Sequence, residues 1–245
     1  MKSIKLSYGD KKLTLLLITV VGSKLHQLDT KNSDIDTKGV FVWDLNETLS
    51  LNTPQDTLEN KNTDSKLWSD LLVDLNRNLG LHIDVLADFC LFEIKKFMLL
   101  SLKNDFNMFD MLWSKPVYVN DSFKVVMDNR HCFLNTDSAK TRFVGMSFSA
   151  LKEGKKTGDC KTLSRAIQFL HSVLLVFKTS TYSPVLLDKE RKEVLSIKNC
   201  EVSLEEIKNR FEELKNEVDL CYKNNTKLTA NKELINTMLV RIQKG

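Results

Sequence analysis

The sequence predicts an α+β fold, in which a mixed α and β first half precedes a mainly helical second half. Two short runs, residues 13–21 and 39–43, are rich in β-branched and aromatic residues, as expected of strands. Past Pro116, three long segments carry apolar residues three and four positions apart, which is the spacing of a buried helix face. With 245 residues, 42% of them hydrophobic, the chain can bury a substantial core without disulfides or metals.

The rest of the first half alternates between loop, helix and strand patterns. Residues 44–65 are polar and rich in turn-forming residues, which predicts a loop or a short excursion. The leucines of residues 67–79 recur at helical spacing, and residues 82–92 form a β-prone run. Two further helices are predicted over residues 93–102 and 106–113.

Three helices are predicted in the second half, over residues 140–156, 160–178 and 203–224. Ser203 followed by Glu206 forms the pattern of a capping box, which places the start of the last helix. Pro184 and the charged run 188–193 predict the main break in this half.

The change of pattern predicts two domains, residues 1–118 and residues 119–245. The net charge of +4 is uneven, because residues 121–245 hold 22 basic against 16 acidic side chains. Within residues 130–165 the count is 8 basic against 3 acidic side chains. Such an excess attracts phosphates, and it is also typical of a solvated, lysine-rich face.

The cysteines and the apolar runs predict a soluble, cytoplasmic protein. The five cysteines lie at least 21 positions apart and lack zinc-ligand spacing, which favours reduced thiols and no disulfide-linked partner. Lys11 and Lys12 before the apolar run 13–21 imitate a short secretory signal. The run is too short to span a bilayer, and we interpret it as a buried strand, with no membrane partner.

The main candidates for a functional site lie in two short segments. These are Gly22-Ser23 and, nine residues later, the segment 32–36, which contains Asp34 and Asp36. Two aspartates at i and i+2 on a strand share a face, with Ile35 directed into the core. Adjacent carboxylates repel each other, and a divalent cation relieves the repulsion. Oxygen ligands favour Mg²⁺ or Mn²⁺.

A glycine and a serine directly after a strand suit the binding of phosphate. Gly22 allows close backbone approach, and the Ser23 hydroxyl and nearby N–H groups can donate to phosphate oxygens. Together with the aspartates, they form a pattern that suits phosphoryl or nucleotidyl transfer. The alternative interpretation is that residues 33–36 are an Asx-type turn entering a strand.

The run TVVGSKLHQLDTKNSDIDTKGVFV resembles the core of the DNA polymerase β superfamily of nucleotidyltransferases. It is most similar to the branch described as RNA-repair-pathway nucleotidyltransferases, found in phages and bacteria. The run DFCLFEIKKFMLLSLKNDFNMFDMLWS at residues 88–114 is similar to the same branch. The resemblance implies a small mixed sheet with packed helices, followed by a helical domain.

The resemblance also implies roles for individual residues. Gly22 and Ser23 would hold the terminal phosphates of a nucleoside triphosphate, while Asp34 and Asp36 would ligate Mg²⁺ or Mn²⁺. A third carboxylate, Asp88 or alternatively Asp84, would ligate the metal and act as a base.

The sequence departs from the family pattern at positions that would bind the substrates. The branch tends to have Lys, His and Arg in the C-terminal helix, where this chain has Lys161, Arg165 and Gln168. Lys161 and Arg165 are four residues apart, so both can face a cleft and bind the nucleotide, or both can be exposed helix charges. His26, between the two motifs, is a minor candidate for phosphate contact.

The sequence therefore predicts a metal-dependent nucleotidyltransferase that moves a nucleoside monophosphate from an NTP to a hydroxyl acceptor and releases pyrophosphate. The basic region 130–165 favours RNA, including tRNA, as the acceptor. The alternative is a catalytically idle relative that binds a nucleotide, a nucleic acid or a host protein.

Overall fold

A six-stranded sheet of mixed direction forms the first half of the computed structural model, which describes residues 3–30, 33–52, 54–80 and 89–245. Its strands are β1 (Ile4–Tyr8), β2 (Lys11–Val21), β3 (Asp36–Trp43), β4 (Thr57–Glu59), β5 (Cys90–Glu93) and β6 (Pro116–Val119). The order across the sheet is β1-β2-β3-β5-β4. Strand β1 pairs with residues 11–15 of β2, and β6 pairs with residues 17–19 of the same strand. β3 and β5 are parallel, whereas the other pairs are antiparallel.

Helices cover most of the remaining described residues. They are α1 (Gly22–Leu25), α2 (Leu45–Thr48), α3 (Ser65–Leu79), α4 (Ile94–Leu102), α5 (Phe106–Trp113), α6 (Asp121–Asp128), α7 (Thr136–Thr157), α8 (Cys160–Thr179), α9 (Asp188–Lys198), α10 (Leu204–Asn224) and α11 (Lys232–Lys244). A 3₁₀ turn, Arg130–Phe133, precedes α7. The predicted α+β class is confirmed, as are both predicted strands and the helices predicted from periodicity. None of the helices in the described ranges is long and apolar enough to cross a membrane.

The two faces of the sheet are buried by different elements. Helix α3 places Trp68, Leu71 and Leu75 against one face, where they join Leu13 and Phe41 in one hydrophobic cluster. The other face belongs to a larger cluster that includes side chains of α4, α5, α6 and the helices of the second half. The sheet is therefore sandwiched, and the end of β2 faces the helices of the second half.

The long helices begin at side-chain caps that the sequence encodes locally. The Asp159 carboxylate accepts hydrogen bonds from the backbone N–H groups of Lys161 and Thr162 at the start of α8. At α10 the predicted capping box is present: Glu206 N–H donates to Ser203 Oγ at 3.3 Å, and Ser203 N–H donates to Glu206 Oε2 at 2.9 Å.

The charged run 188–193 is a helix, so the prediction of a break there is wrong. Asp188 and Glu190 lie in the first turn of α9, where negative charge is favourable, and Val194 and Ile197 bury its inner face. The start of this helix is polar, so the sequence pattern did not indicate that two apolar residues near its end are buried.

The proposed boundary between residues 1–118 and 119–245 falls within strand β6. Val119 pairs with Leu17 of β2, and one hydrophobic cluster contains residues from both sides of the boundary. The division into two domains remains a prediction about how the chain is organised.

A disulfide joins Cys160 at the start of α8 to Cys200, two residues after the end of α9. The prediction that all the cysteines are reduced thiols is therefore wrong for this pair, whereas Cys90, Cys132 and Cys221 are free. The two cysteines are 40 residues apart in sequence and are brought together by the packing of α8 with α9. Sequence spacing alone does not identify such a pair.

Removing this disulfide should lower the free energy of unfolding by about 2–4 kcal/mol, because a cross-link over a loop of this length restricts the unfolded chain. Urea unfolding of a Cys160→Ser/Cys200→Ser variant, with and without dithiothreitol, measures the effect. The variant should not respond to the reductant, whereas Cys221→Ser should respond as the wild type does. Equal stability of wild type and double variant without reductant would contradict the prediction.

Candidate functional site

A cavity of about 290 Å³ lies where β2 ends and β3 begins, between the sheet and helices α5 and α8. Gly22, Ser23 and Asp36 line it from the sheet side, and Lys161 and Arg165 line it from α8. Five of the residues predicted from sequence therefore lie around one cavity, although they are separated by up to 143 positions (165 − 22) in the chain.

Gly22 and Asp36 are packed against each other. They lie next to one another because Val21, the last residue of β2, pairs with Asp36, the first residue of β3. Gly22 has a φ of +70°, and a Cβ atom at this position would lie 1.9 Å from Asp36 Oδ2. Glycine is required here for two reasons: the backbone is left-handed, and the Asp36 carboxylate occupies the space that a Cβ atom would need.

Asp34, by contrast, is exposed in the segment before β3 and is not among the residues that line the cavity. Ile35 is 52% exposed, so the prediction that it is directed into the core is wrong. The physical reason is that the strand begins at Asp36, so alternation along a strand does not apply to residues 34 and 35. Asp84 and Asp88 lie outside the described residues.

Four basic side chains line the cavity, two of which the sequence analysis did not single out. Lys38 donates a hydrogen bond from Nζ to Asn107 Oδ1 at 3.1 Å, and Lys198 donates from Nζ to the Leu28 carbonyl oxygen. Burial lowers the pKa of Lys198, and the positive charges of Lys161 and Arg165 lower it further. These cations are close enough to repel one another, and an anionic ligand would relieve the repulsion.

Lys38 had a signal in the sequence, whereas Lys198 had none. Lys38 is two residues after Asp36 on the same strand, so the two side chains share a face. Lys198 is the last residue of α9 and lies after the charged run 188–193 that the sequence analysis interpreted as a break.

Gln168 lines the same cavity and leaves a polar group without a partner. The residue is 5% exposed, and its Nε2 atom is buried without a hydrogen bond. A buried amide donor without a partner is costly, so a bound ligand that accepts from it would be stabilised. The sequence analysis noted this residue as a departure from the family pattern.

Behind the cavity, a buried network fixes the turn that follows Gly22-Ser23. His26 is 6% exposed; its Nδ1 is 2.6 Å from the Pro184 carbonyl oxygen and its Nε2 is 2.9 Å from Asp110 Oδ2. The Tyr182 hydroxyl donates to Asp110 Oδ1 at 2.6 Å. Both ring nitrogens of His26 face acceptors, so the protonated ring fits this environment.

The pKa of His26 is raised, although burial by itself disfavours the charged ring. The negative charge of Asp110 and the two hydrogen bonds outweigh the burial. His26 thus has a structural explanation that differs from the predicted phosphate contact, although its ring also lines the cavity.

Replacing Asp110 by Asn should lower the free energy of unfolding by about 2–3 kcal/mol below pH 6.5, because it removes the charge partner of a buried imidazolium. A raised folded-state pKa gives a stabilisation that is complete below the unfolded value of about 6.5 and is lost as pH rises through the folded-state pKa. The difference between wild type and variant should therefore shrink with rising pH in urea unfolding.

Tyr182→Phe is the matched control for this network. It removes one hydrogen bond to Asp110 but leaves the ion pair, so it should cost about 1 kcal/mol at every pH tested. A stability difference for Asp110→Asn that does not vary with pH would show that His26 is not charged in the folded protein.

The donor set for a divalent cation is incomplete within the described residues. These residues contain no group of three or more His, Cys, Asp or Glu side chains that could hold a metal ion. Asp36 supplies one carboxylate in the cavity, and Asp34 precedes it by two residues. Carboxylate oxygens are hard ligands, so this chemistry fits Mg²⁺ or Mn²⁺.

The mixed sheet, the Gly22-Ser23 turn and the adjoining Asp36 form the arrangement that the resemblance implies for a nucleotidyltransferase of the DNA polymerase β type. Residues 2–84, about a third of the chain, match the family described as the RNA repair pathway DNA polymerase beta family. The match confirms the resemblance inferred from the sequence, and at family level it indicates a nucleotidyltransferase. None of the curated proteins matches the chain.

Proposed function

We propose that the protein is a metal-dependent nucleotidyltransferase that moves a nucleoside monophosphate from an NTP to a hydroxyl of RNA or tRNA. The observation that carries the proposal is the cavity in which Gly22, Ser23 and Asp36 meet Lys161 and Arg165. The family match over residues 2–84 supports the same class of reaction. We propose a cytoplasmic location for the protein.

The basic side of the cavity suits a triphosphate. Lys38, Lys161, Arg165 and Lys198 bring four positive charges to a space that Asp36 and Asp110 line with two carboxylates, of which Asp110 is paired with His26. The Ser23 hydroxyl and the buried Gln168 amide add neutral donors. This excess of donors and positive charge orients the phosphates and stabilises the charge that develops on the leaving pyrophosphate.

Asp34, Asp36 and a third carboxylate, Asp88 or Asp84, are the proposed metal ligands. A bound Mg²⁺ or Mn²⁺ would neutralise phosphate charge during transfer. The oxygen of the acceptor hydroxyl bonds to the α-phosphorus, while the bond between that phosphorus and the α–β bridging oxygen breaks and pyrophosphate leaves. The hydroxyl proton passes to the third carboxylate, which acts as the base.

Part of the basic region 130–165 is neutralised within the protein. Lys140 pairs with Asp219 at 2.7 Å, and Arg142 pairs with Asp105. Lys152, Lys155 and Lys156 are exposed on the last turns of α7 and form no ion pair with the described residues. RNA is the proposed acceptor because these lysines present positive charge to a polyanion.

The test is incubation of the purified protein with each α-labelled NTP, Mg²⁺ or Mn²⁺, and total tRNA. Label should appear on the RNA with at least one NTP, and EDTA should prevent its appearance. Metal-dependent NTP binding without transfer to RNA would favour the idle relative. Absence of both binding and transfer would refute the proposed nucleotide site.

A further inference from the structure

A wide groove of about 720 Å³ lies beside the nucleotide cavity, along one face of α7. Met146 and Phe169 line both the groove and the cavity, so the two spaces adjoin at these side chains. The proposed reaction needs a second substrate next to the nucleotide, because the attacking hydroxyl must reach the α-phosphorus. The groove adjoins the cavity and is large enough to hold part of a second substrate.

The lining of the groove combines apolar contact with hydroxyl groups and positive charge. Met146 and Phe169 form its apolar wall, and Ser138 and Thr141 add hydroxyl groups. Lys103 is exposed and Arg142 is paired with Asp105, while Asp137 adds one acidic side chain to the lining. Such a surface suits a nucleotide, whose base takes the apolar contact while its phosphate takes the charge.

Two lysines follow the groove-lining residues on the same face of α7. Residues 138, 141, 145 and 149 recur at helical spacing, and Lys152 and Lys156 follow on the same face. From residue 138 to residue 156 the helix rises about 27 Å, which is long enough for several nucleotides. Lys152 and Lys156 therefore add positive charge at the C-terminal end of this face, where a polyanionic strand lying along the helix would meet it.

We propose that this groove binds the hydroxyl-bearing end of the acceptor RNA, with the strand running along α7 toward Lys152 and Lys156. The terminal nucleotide lies against Met146 and Phe169, from where its hydroxyl enters the nucleotide cavity. This inference rests on the proposed transferase function for the direction of the strand, but the groove as an RNA site is testable by binding alone.

Gly145 offers a way to fill the groove without disturbing the fold. It lies in the middle of α7, it is exposed, and a Cβ atom added to it meets nothing within 4 Å. Replacing a glycine inside a helix also improves helix propensity, by about 1 kcal/mol for alanine. Gly145→Leu should therefore fold and obstruct the groove, and Gly145→Ala is its matched control.

The experiment measures binding of a short, fluorescein-labelled single-stranded RNA by fluorescence anisotropy, and binding of each Mg²⁺–NTP separately. Gly145→Leu should raise the Kd for RNA by at least about 10-fold, while Gly145→Ala and the NTP affinities stay close to wild type. Lys152→Gln/Lys156→Gln should weaken RNA binding and reduce the slope of log K against log salt concentration by about 1.4, for two lost phosphate contacts.

These outcomes separate the groove from the transferase function. If the wild type binds RNA and Gly145→Leu does not, the groove is supported even when no NTP is transferred. If Gly145→Leu binds RNA and supports transfer as the wild type does, the groove is not the acceptor site. Absence of RNA binding by the wild type also overturns the inference, whether or not the protein transfers nucleotides to another acceptor.

Discussion

Replacing Asp36 by Asn should reduce nucleotidyl transfer by at least about 10³-fold, with little change in the fold. The amide has nearly the same shape as the carboxylate and fits beside Gly22, but it lacks the charge that a divalent cation requires. Initial rates of label transfer, together with urea unfolding, separate lost chemistry from lost stability.

Two further variants make this prediction sharper. Asp10→Asn removes an exposed carboxylate in the turn between β1 and β2, so it should leave the rate unchanged. Asp34→Asn tests the predicted second ligand, which lies exposed before β3, and should lower the rate as Asp36→Asn does. An Asp36→Asn protein that transfers label at the wild-type rate would eliminate this carboxylate as a metal ligand.

Gly22→Ala should reduce transfer by about 10²-fold or more, because the methyl group takes the space of Asp36 Oδ2. The overlap must be relieved by moving either the carboxylate or the turn, and displacement of a reacting group by about 1 Å can cost about 10²-fold in rate. The left-handed backbone adds about 1–2 kcal/mol of destabilisation for a residue with a Cβ atom.

Gly9→Ala is the matched control for Gly22→Ala. Gly9 has a φ of +64°, similar to the +70° of Gly22, but its Cβ atom would meet only Leu67, at an ordinary distance of 3.6 Å. Both variants should lose stability to the left-handed backbone in urea unfolding, and Gly22→Ala should lose more because of its overlap with Asp36, whereas only Gly22→Ala should lose transfer activity. Equal activities would show that the contact between Gly22 and Asp36 has no catalytic consequence.

Features encoded by neighbouring residues were predictable from sequence. The run 13–21 lies within β2, and the capping box placed the start of α10 within one residue. The proximity of Gly22 and Asp36 also follows from local chain reversal, because β2 and β3 are consecutive antiparallel strands. The DNA polymerase β resemblance includes this segment, together with the run at residues 88–114.

The prediction from strand alternation was wrong for residues 34 and 35, because they precede the strand. Alternation applies to residues inside a strand, and β3 begins at Asp36, so Ile35 is exposed and Asp34 is not among the residues that line the cavity. The interpretation of residues 188–193 as a break failed for a related reason, since α9 buries two apolar side chains near its end.

The sequence by itself determined the α+β class, the main helices and the Gly22, Ser23 and Asp36 side of the cavity, because these follow from backbone periodicity and turns. The tertiary structure alone decided that Lys198 joins Lys161 and Arg165, and that His26 pairs with Asp110, 84 positions away. It also decided the pairing of Cys160 with Cys200. Contacts between distant segments depend on how whole helices pack, and local sequence patterns do not predict that packing.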